Sequence, residues 1–351
     1  MTKRSGVLWL VVIVGLAVLV YFFRNKIQFD WAMFWHQLRY VSMGHIAAAI
    51  ALIYATYCVR AVRWAVFLSP TKKVSAVSLL GSQFIGFTAV ALFGRLADLT
   101  RPYLVAKRTG LSLSSQIAVY TIERMFDLGA AAVIFSCALA FTPKSLPHHE
   151  VFVRAGVLSM GATLAIAVFA GVVRAAGGAV AAFARGTVGR LSKSTGESIS
   201  TKILGFRDGL NALASMREFG IVAALSLGMW LTIGFAYLET VHAFWHTPEL
   251  ADLTFSRTML LMAASIGGSL LQLPIIGWFT QIAVTAAAMH TFYGAPIEAA
   301  SACGALLLVV TFLCIIPAGF IYSQVEHVSL KSVAEESGAA AKDVEVPEPT
   351  A

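Results

Sequence analysis

Charge is what this chain has least of. Only 13% of its 351 residues are Asp, Glu, Lys or Arg, where soluble domains carry about a quarter. Polar stretches are equally short, and none is long enough to fold as a soluble domain of its own. The four cysteines, Cys58, Cys137, Cys303 and Cys314, stand apart inside apolar runs with no CxxC pair, so they carry no redox or metal signal and are read as small buried residues. HExxH, a glycine-rich phosphate loop, a Ser-His-Asp set and a basic nucleic-acid patch are all missing. Glu239, His242 and His246 share a helical face, but the segment ends at an interface and is read as interfacial packing. No metal or cofactor is expected.

Apolar length is what the chain has most of. It is 58% hydrophobic with a mean hydropathy of +0.78, and runs of the roughly 20 residues needed to cross a bilayer recur along it. The first, 7–23, follows Lys3 and Arg4 and exceeds a signal-peptide core without a small-residue cleavage site, so it is expected to be an uncleaved span. Further helices are expected at 43–68, 76–93, 112–141, 151–174, 219–245, 256–273, 277–293 and 297–323, with 174–218 as one short amphipathic connection. The expected fold is an all-α, polytopic transmembrane helical bundle over 1–330. Residues 331–351, rich in Ala, Pro, Glu and Asp with no apolar period, are expected to be a disordered acidic tail.

Lys and Arg set the orientation. Arg174, Arg185, Arg190, Lys193, Lys202, Arg207 and Arg217 place 174–217 in the cytoplasm, and the N-terminus and Lys72–Lys73 agree; both termini are expected there. The 142–150 and 244–256 loops hold one basic residue, Lys144, and read as outside, whereas Arg24, Lys26 and Arg39 in the 24–42 loop do not fit the scheme. Segment 76–108 has basic residues on both flanks: Lys72 and Lys73 before it, Arg95, Arg101, Lys107 and Arg108 in its second half. A re-entrant hairpin that enters and leaves on one face satisfies the charge rule better than a crossing, provided other helices enclose it.

Ala91-x-x-Gly94-x-x-x-Asp98 overlays Pro274-x-x-Gly277-x-x-x-Gln281 without a gap, and Gly110 and Gly294 follow at nearly matching distance. Three spans lie between the two pieces, and an odd number inverts orientation. The pair is therefore expected to form two re-entrant hairpins related as inverted repeats, within about eight membrane segments, as in alternating-access carriers.

YTIERMFD, residues 120–127, places Glu, Arg and Asp inside an otherwise apolar helix. Helical spacing puts Gln116, Tyr120, Glu123, Arg124 and Asp127 on one face. Three unpaired ions at the bilayer centre would cost about 8–10 kcal/mol, at roughly 2.5–3.5 each, so this face should point inward. Arg60 and Arg63, on one face of the second span, are the expected partners. Such a set would suit an anionic head group, which arginine holds bidentately. Two readings stay open: ion pairs that only lock helices together, or a substrate or proton path. Asp98, Arg101 and Pro102 form a second constellation. Lys107 and Arg108 read mainly as anchors to anionic lipid heads.

Gly94-x-x-Ala97-Asp98-x-x-Arg101-Pro102, Gly110 and Glu123-Arg124-x-x-Asp127, together with Arg63-Trp64, resemble the integral-membrane region of lysylphosphatidylglycerol synthases, the flippase-like domain family. The resemblance covers roughly 7–323. The family's usual Gly-Glu is Ala97-Asp98 here, and its second hairpin reads Pro-x-x-Gly-Gly-x-Gly-x-x-Glu where this chain has Pro274, Gly277 and Gln281. The synthases' cytoplasmic aminoacyl-transfer domain has no counterpart in this sequence. The resemblance implies a multi-pass inner-membrane protein of bacteria that moves an anionic phospholipid or lipid-linked glycan between leaflets. Arg60, Arg63, Arg101 and Arg124 would contact the head group, with Asp98, Glu123 and Asp127 holding them, and Gly94, Pro274, Gly277 and Gln281 forming the hairpins. Its partners would be membrane lipids with anionic heads, and no nucleic acid. The alternatives are a membrane partner or scaffold for a separately encoded lipid-modifying transferase, or a membrane-embedded lipid transferase, for which no nucleophile or metal set is found.

Overall fold

The computed structural model describes residues 29–141, 149–188, 190, 192–211, 215–268 and 276–345. The expected first span, 7–23, most of the 142–150 loop with Lys144, and Pro274 lie outside these residues. The described residues form helices and no strand.

Asp30 starts the short helix α1 (Trp31–Arg39), its carboxylate accepting from the N–H groups of Ala32 and Met33. Next come α2 (Met43–Leu68), α3 (Ala76–Phe93), a 3₁₀ turn (Gly94–Ala97), α4 (Thr100–Thr109), α5 (Leu113–Ala140), α6 (His149–Val188) and α7 (Lys193–Asn211). The second half holds α8 (Met216–His242), the single turn α9 (Pro248–Ala251), α10 (Phe255–Gly268), α11 (Ile276–Tyr293) and α12 (Ile297–Leu308). A π turn (Val309–Leu313) then leads into α13 (Ile316–Val325), followed by α14 (Leu330–Glu345). Four described segments are long and apolar enough to cross a membrane: Met43–Leu68, Ala76–Phe93, Met216–His242 and the composite Ile297–Val325. The chain is an integral membrane protein. The break inside 297–325 has a cause in Pro317, which lacks the N–H and sterically rejects the carbonyl one turn back.

Contacts at the helix ends sort the bundle into two ends. At the basic end, Lys72 Nζ donates to the Thr109 carbonyl at 2.6 Å, Ser69 Oγ to Glu218 Oε1 at 3.2 Å, and Arg108 pairs with Glu326 at 2.6 Å. At the aromatic end, where Trp31, Trp35, Tyr40 and Trp245 are exposed, His45 meets Glu239 at 2.6 Å. Here too Tyr293 OH donates to the Arg257 carbonyl at 2.8 Å and Ser256 Oγ to the Ala138 carbonyl at 2.9 Å. The α3–α4 hairpin therefore starts and finishes at the basic end, and the α10–α11 hairpin starts and finishes at the aromatic end. Each sits between two longer helices, α2 and α5 in the first half, α8 and the α12–α13 composite in the second. Among the described residues, a helix pair thus follows a longer helix in each half, one pair with its outer ends at the basic end and the other at the aromatic end. The two halves join along α2 and α8, while α3 packs on α13 and α10 on α5.

The first hairpin is enclosed by protein. Leu79, Gly81 to Gly86, Thr88, Ala89 and Ala91 of α3 are buried, against α2, α4, α13 and α14. Its bend needs glycine: Gly94 has φ 70° and ψ −152°, a combination closed to L side chains. Gly110 and Gly294, with φ 70° and 73°, end α4 and α11.

Gly277 sits in the first turn of α11 and is not among the positive-φ glycines. Two expectations are corrected. The 174–218 connection is mostly helix: α6 continues past a kink at Ala176 to Val188, and α7 folds back along it. Residues 331–345 are not a disordered tail. They belong to α14, whose Leu330 and Val333 pack with Ile85 and Leu104 of the first hairpin, because spacing of three puts both apolar side chains on one face. Residues 346–351 lie outside the described set.

Candidate functional site

Arg63 is the centre of the ionic cluster and is fully buried. It leaves α2 between two carboxylates of α5, donating from NH2 to Glu123 Oε1 and from NH1 to Asp127 Oδ1, each at 2.6 Å. NH1 also donates to Ser226 Oγ of α8 at 2.7 Å. One planar guanidinium thus ties three helices, which a lysine point charge could not do. Its neighbour Trp64 donates from Nε1 to Gln116 Oε1 at 3.2 Å.

The remaining cations gather around the same two acids. Arg101 of α4 reaches Glu123 Oε2 at 3.0 Å and Gln83 Oε1 at 3.1 Å, with its guanidinium over the rings of Phe87 and Trp64, at 4.4 and 5.2 Å from their centroids. Arg124 reaches Asp127 Oδ2 at 2.8 Å and Glu123 Oε2 at 3.5 Å. Arg60 is held more loosely, at 3.6 Å from Asp127 and 3.9 Å from Glu123, with its guanidinium 4.8 Å from the Phe87 centroid. The buried Nε atoms of Arg60 and Arg124 have no hydrogen-bond acceptor, which is costly unless something fills that place.

Beside this cluster lies a cavity of about 560 Å³. Arg60, Asp98, Arg101, Arg124 and Asp127 line it from the first half, and Gly277, Trp278, Gln281 and Thr311 from the second. Gly94 and Gly277, the two residues that align in the sequence, both face it, as do Asp98 and Gln281. Arg63 and Glu123 do not line it; they are the anchors behind the wall. A smaller cavity of about 160 Å³ lies between Thr56, Tyr57, Trp230, Tyr237 and Thr311, and Tyr57, Arg60, Trp230 and Thr311 border both. Pro274 falls outside the described residues.

Several lining or supporting residues carried no signal of their own in the sequence. Gln83 is a lone amide in an apolar helix and could have been singled out on that ground. Ser226, Phe87 and Trp230 are indistinguishable by type and spacing from packing residues. Among the described residues no group of His, Cys, Asp and Glu is arranged to hold a metal, and Glu239, His242 and His246 do not converge: Glu239 goes to His45, and His242 to the Leu253 carbonyl.

No curated protein and no solved structure matches this chain. Residues 7–326 match the family model of the lysylphosphatidylglycerol synthase TM region. Nearly the whole bundle lies in that match, from before α1 to the end of α13, and α14 lies beyond it. By that match the chain belongs to the lysylphosphatidylglycerol synthase TM-region family of integral membrane proteins.

Proposed function

We propose that this protein moves an anionic lipid, a phospholipid or a lipid-linked glycan, between the leaflets of a bacterial inner membrane, with both termini cytoplasmic. One observation carries the reading: helix pairs that begin at opposite ends of the bundle present Asp98 and Arg101, and Gly277 and Gln281, to a single cavity that Arg60 and Arg124 also line. Re-entrant hairpins of opposite sense meeting at mid-bundle are the arrangement through which a fixed site can be exposed to one side and then the other. Arg60, Arg101 and Arg124 bind the phosphate; Arg63, Glu123 and Asp127 keep the α2–α5–α8 frame rigid while the hairpins move. With Gln281 in place of an acid, the second hairpin offers no carboxylate for a proton, so coupling through it is not part of the proposal.

The test is scrambling in liposomes that carry a fluorescent, dithionite-quenchable anionic phospholipid. Protein-dependent loss of fluorescence beyond the outer-leaflet half is expected. It should fall by about tenfold in Arg124→Ala, a loss of roughly 1.4 kcal/mol in head-group contact. Equal rates in the variant and the unmodified protein reject the assigned role.

A further inference from the structure

α13 belongs to the second half of the bundle, yet the chain that leaves it lies down on the hairpin of the first. Residues 326–329 make the turn. His327 has φ 52°, the one non-glycine with positive φ among the described residues, a conformation that a side chain adopts at a cost. Around it the N–H groups of His327 and Val328 donate to the carbonyls of Gln324 and Ser323, at 3.1 and 2.9 Å. At the root of the turn Glu326 pairs with Arg108, in the last turn of α4, at 2.6 Å. Its carboxylate reaches that place because Gly81 of α3 has no side chain: a Cβ there would collide with it.

Beyond the turn, contacts step down α4 as they step up α14. Glu326 meets Arg108, Tyr103 OH donates to Glu336 Oε2 at 2.9 Å, and the hydroxyls of Thr100 and Ser337 are 3.2 Å apart. α14 therefore runs antiparallel to α4, and it also touches the 3₁₀ turn Gly94–Ala97. It splints the whole return arm of the hairpin, from the basic end to the bend. The adhesion is thin. Leu330 and Val333 are its large buried apolar side chains, and Ser337 stands where a third would make a wider stripe. A strained root, two apolar anchors and a few polar bonds describe a contact that holds and also lets go.

The hairpin under this splint carries Asp98 and Arg101 to the cavity. It also packs on α13 through α3, where Thr88 Oγ1 donates to the Ile315 carbonyl at 3.3 Å. Moving it away from α13 at the basic end separates Arg108 from Glu326 and strips α4 from α14. Resting on the transport reading above, we infer that α14 is an autoinhibitory latch: a C-terminal helix carried by the second half, clasped to the return arm of the first hairpin, that holds the cavity shut at the basic end. Undocking shifts the population toward the open form. α14 lies beyond the residues that match the family model, so the restraint is added to the shared bundle and is not part of it.

The test reads cavity access directly. In a cysteine-free background Val90→Cys is the reporter, since Val90 lines the cavity and has no part in the ionic cluster. Membrane vesicles of both orientations present each end of the bundle in turn to a membrane-impermeant maleimide, and labelling is read on the Val90 peptide by mass spectrometry. Truncation after Val328 should raise labelling from the basic end by about fivefold, and Val333→Glu should do the same with the helix still attached. Thr100→Cys with Ser337→Cys, oxidised to a disulfide, should lower it by about tenfold, and reductant should restore it. Should the truncated chain fail to fold, the disulfide pair decides alone. Labelling that ignores the disulfide overturns the latch. Labelling that follows the disulfide in a protein that scrambles no lipid keeps the latch and rejects transport; scrambling with labelling blind to α14 does the reverse.

Discussion

Arg63 and Arg124 pair with the same two carboxylates and do different work. Arg63 is wholly enclosed and bonded to Glu123, Asp127 and Ser226. Removing it leaves two buried carboxylates short of their main partner, a change that costs about 3–5 kcal/mol. Arg63→Ala is therefore expected to lose its monodisperse peak in detergent chromatography, and Arg63→Lys to unfold at lower temperature than the unmodified protein, because one ammonium cannot serve both acids in their plane. Arg124 keeps part of its side chain accessible to the cavity. Arg124→Ala should elute and melt close to the unmodified protein while losing anion affinity. If Arg63→Ala and Arg124→Ala prove equally stable, the division between frame and binding groups is wrong.

Hairpin sense is decided at the scale of elements. The Lys72–Thr109 contact closes the first hairpin at the basic end, and the Tyr293–Arg257 contact closes the second at the aromatic end. In a cysteine-free background, Lys107→Cys, in the exposed last turn of α4, and Tyr293→Cys should react from opposite sides of intact spheroplasts with a membrane-impermeant maleimide. The second alone is expected to be labelled without permeabilisation, since basic residues favour the cytoplasmic side. Labelling of both, or of Lys107→Cys alone, would overturn the proposed orientation. The bend itself depends on Gly94, whose φ of 70° with ψ of −152° excludes a Cβ. Gly94→Ala should lower stability by about 1–3 kcal/mol, read as a fall in apparent Tm.

For the whole molecule, α14 is the feature that composition misjudged. It lies past the family match and packs by Leu330 and Val333 on the first hairpin. Thr100 and Ser337 hydroxyls are 3.2 Å apart, and Tyr103 OH donates to Glu336 at 2.9 Å. Its outer face carries the exposed Lys331 and Glu335. Truncation after Val328 should raise amide exchange in 100–109 while leaving α2 and α8 protected, as measured by hydrogen–deuterium exchange mass spectrometry. Unchanged exchange in α4 would show that α14 does not brace the hairpin.

Local chemistry made part of this protein readable from its sequence alone: that the chain is helical and lives in a membrane, where most helices begin and end, and that Arg60, Arg63, Glu123, Arg124 and Asp127 must meet between helices. Hydrophobic length and the cost of an unpaired ion in lipid act on each segment separately, so they are legible without coordinates. Only the tertiary structure decided which arginine is anchor and which is wall, that Gln83, Ser226 and Trp230 belong to the site, that Gly94 bends the chain, and that 331–345 folds. Those outcomes depend on which neighbour arrives from a distant part of the chain to cover a face, accept a proton or enclose a charge. A serine or a short run of alanines has the same composition whether or not that neighbour comes.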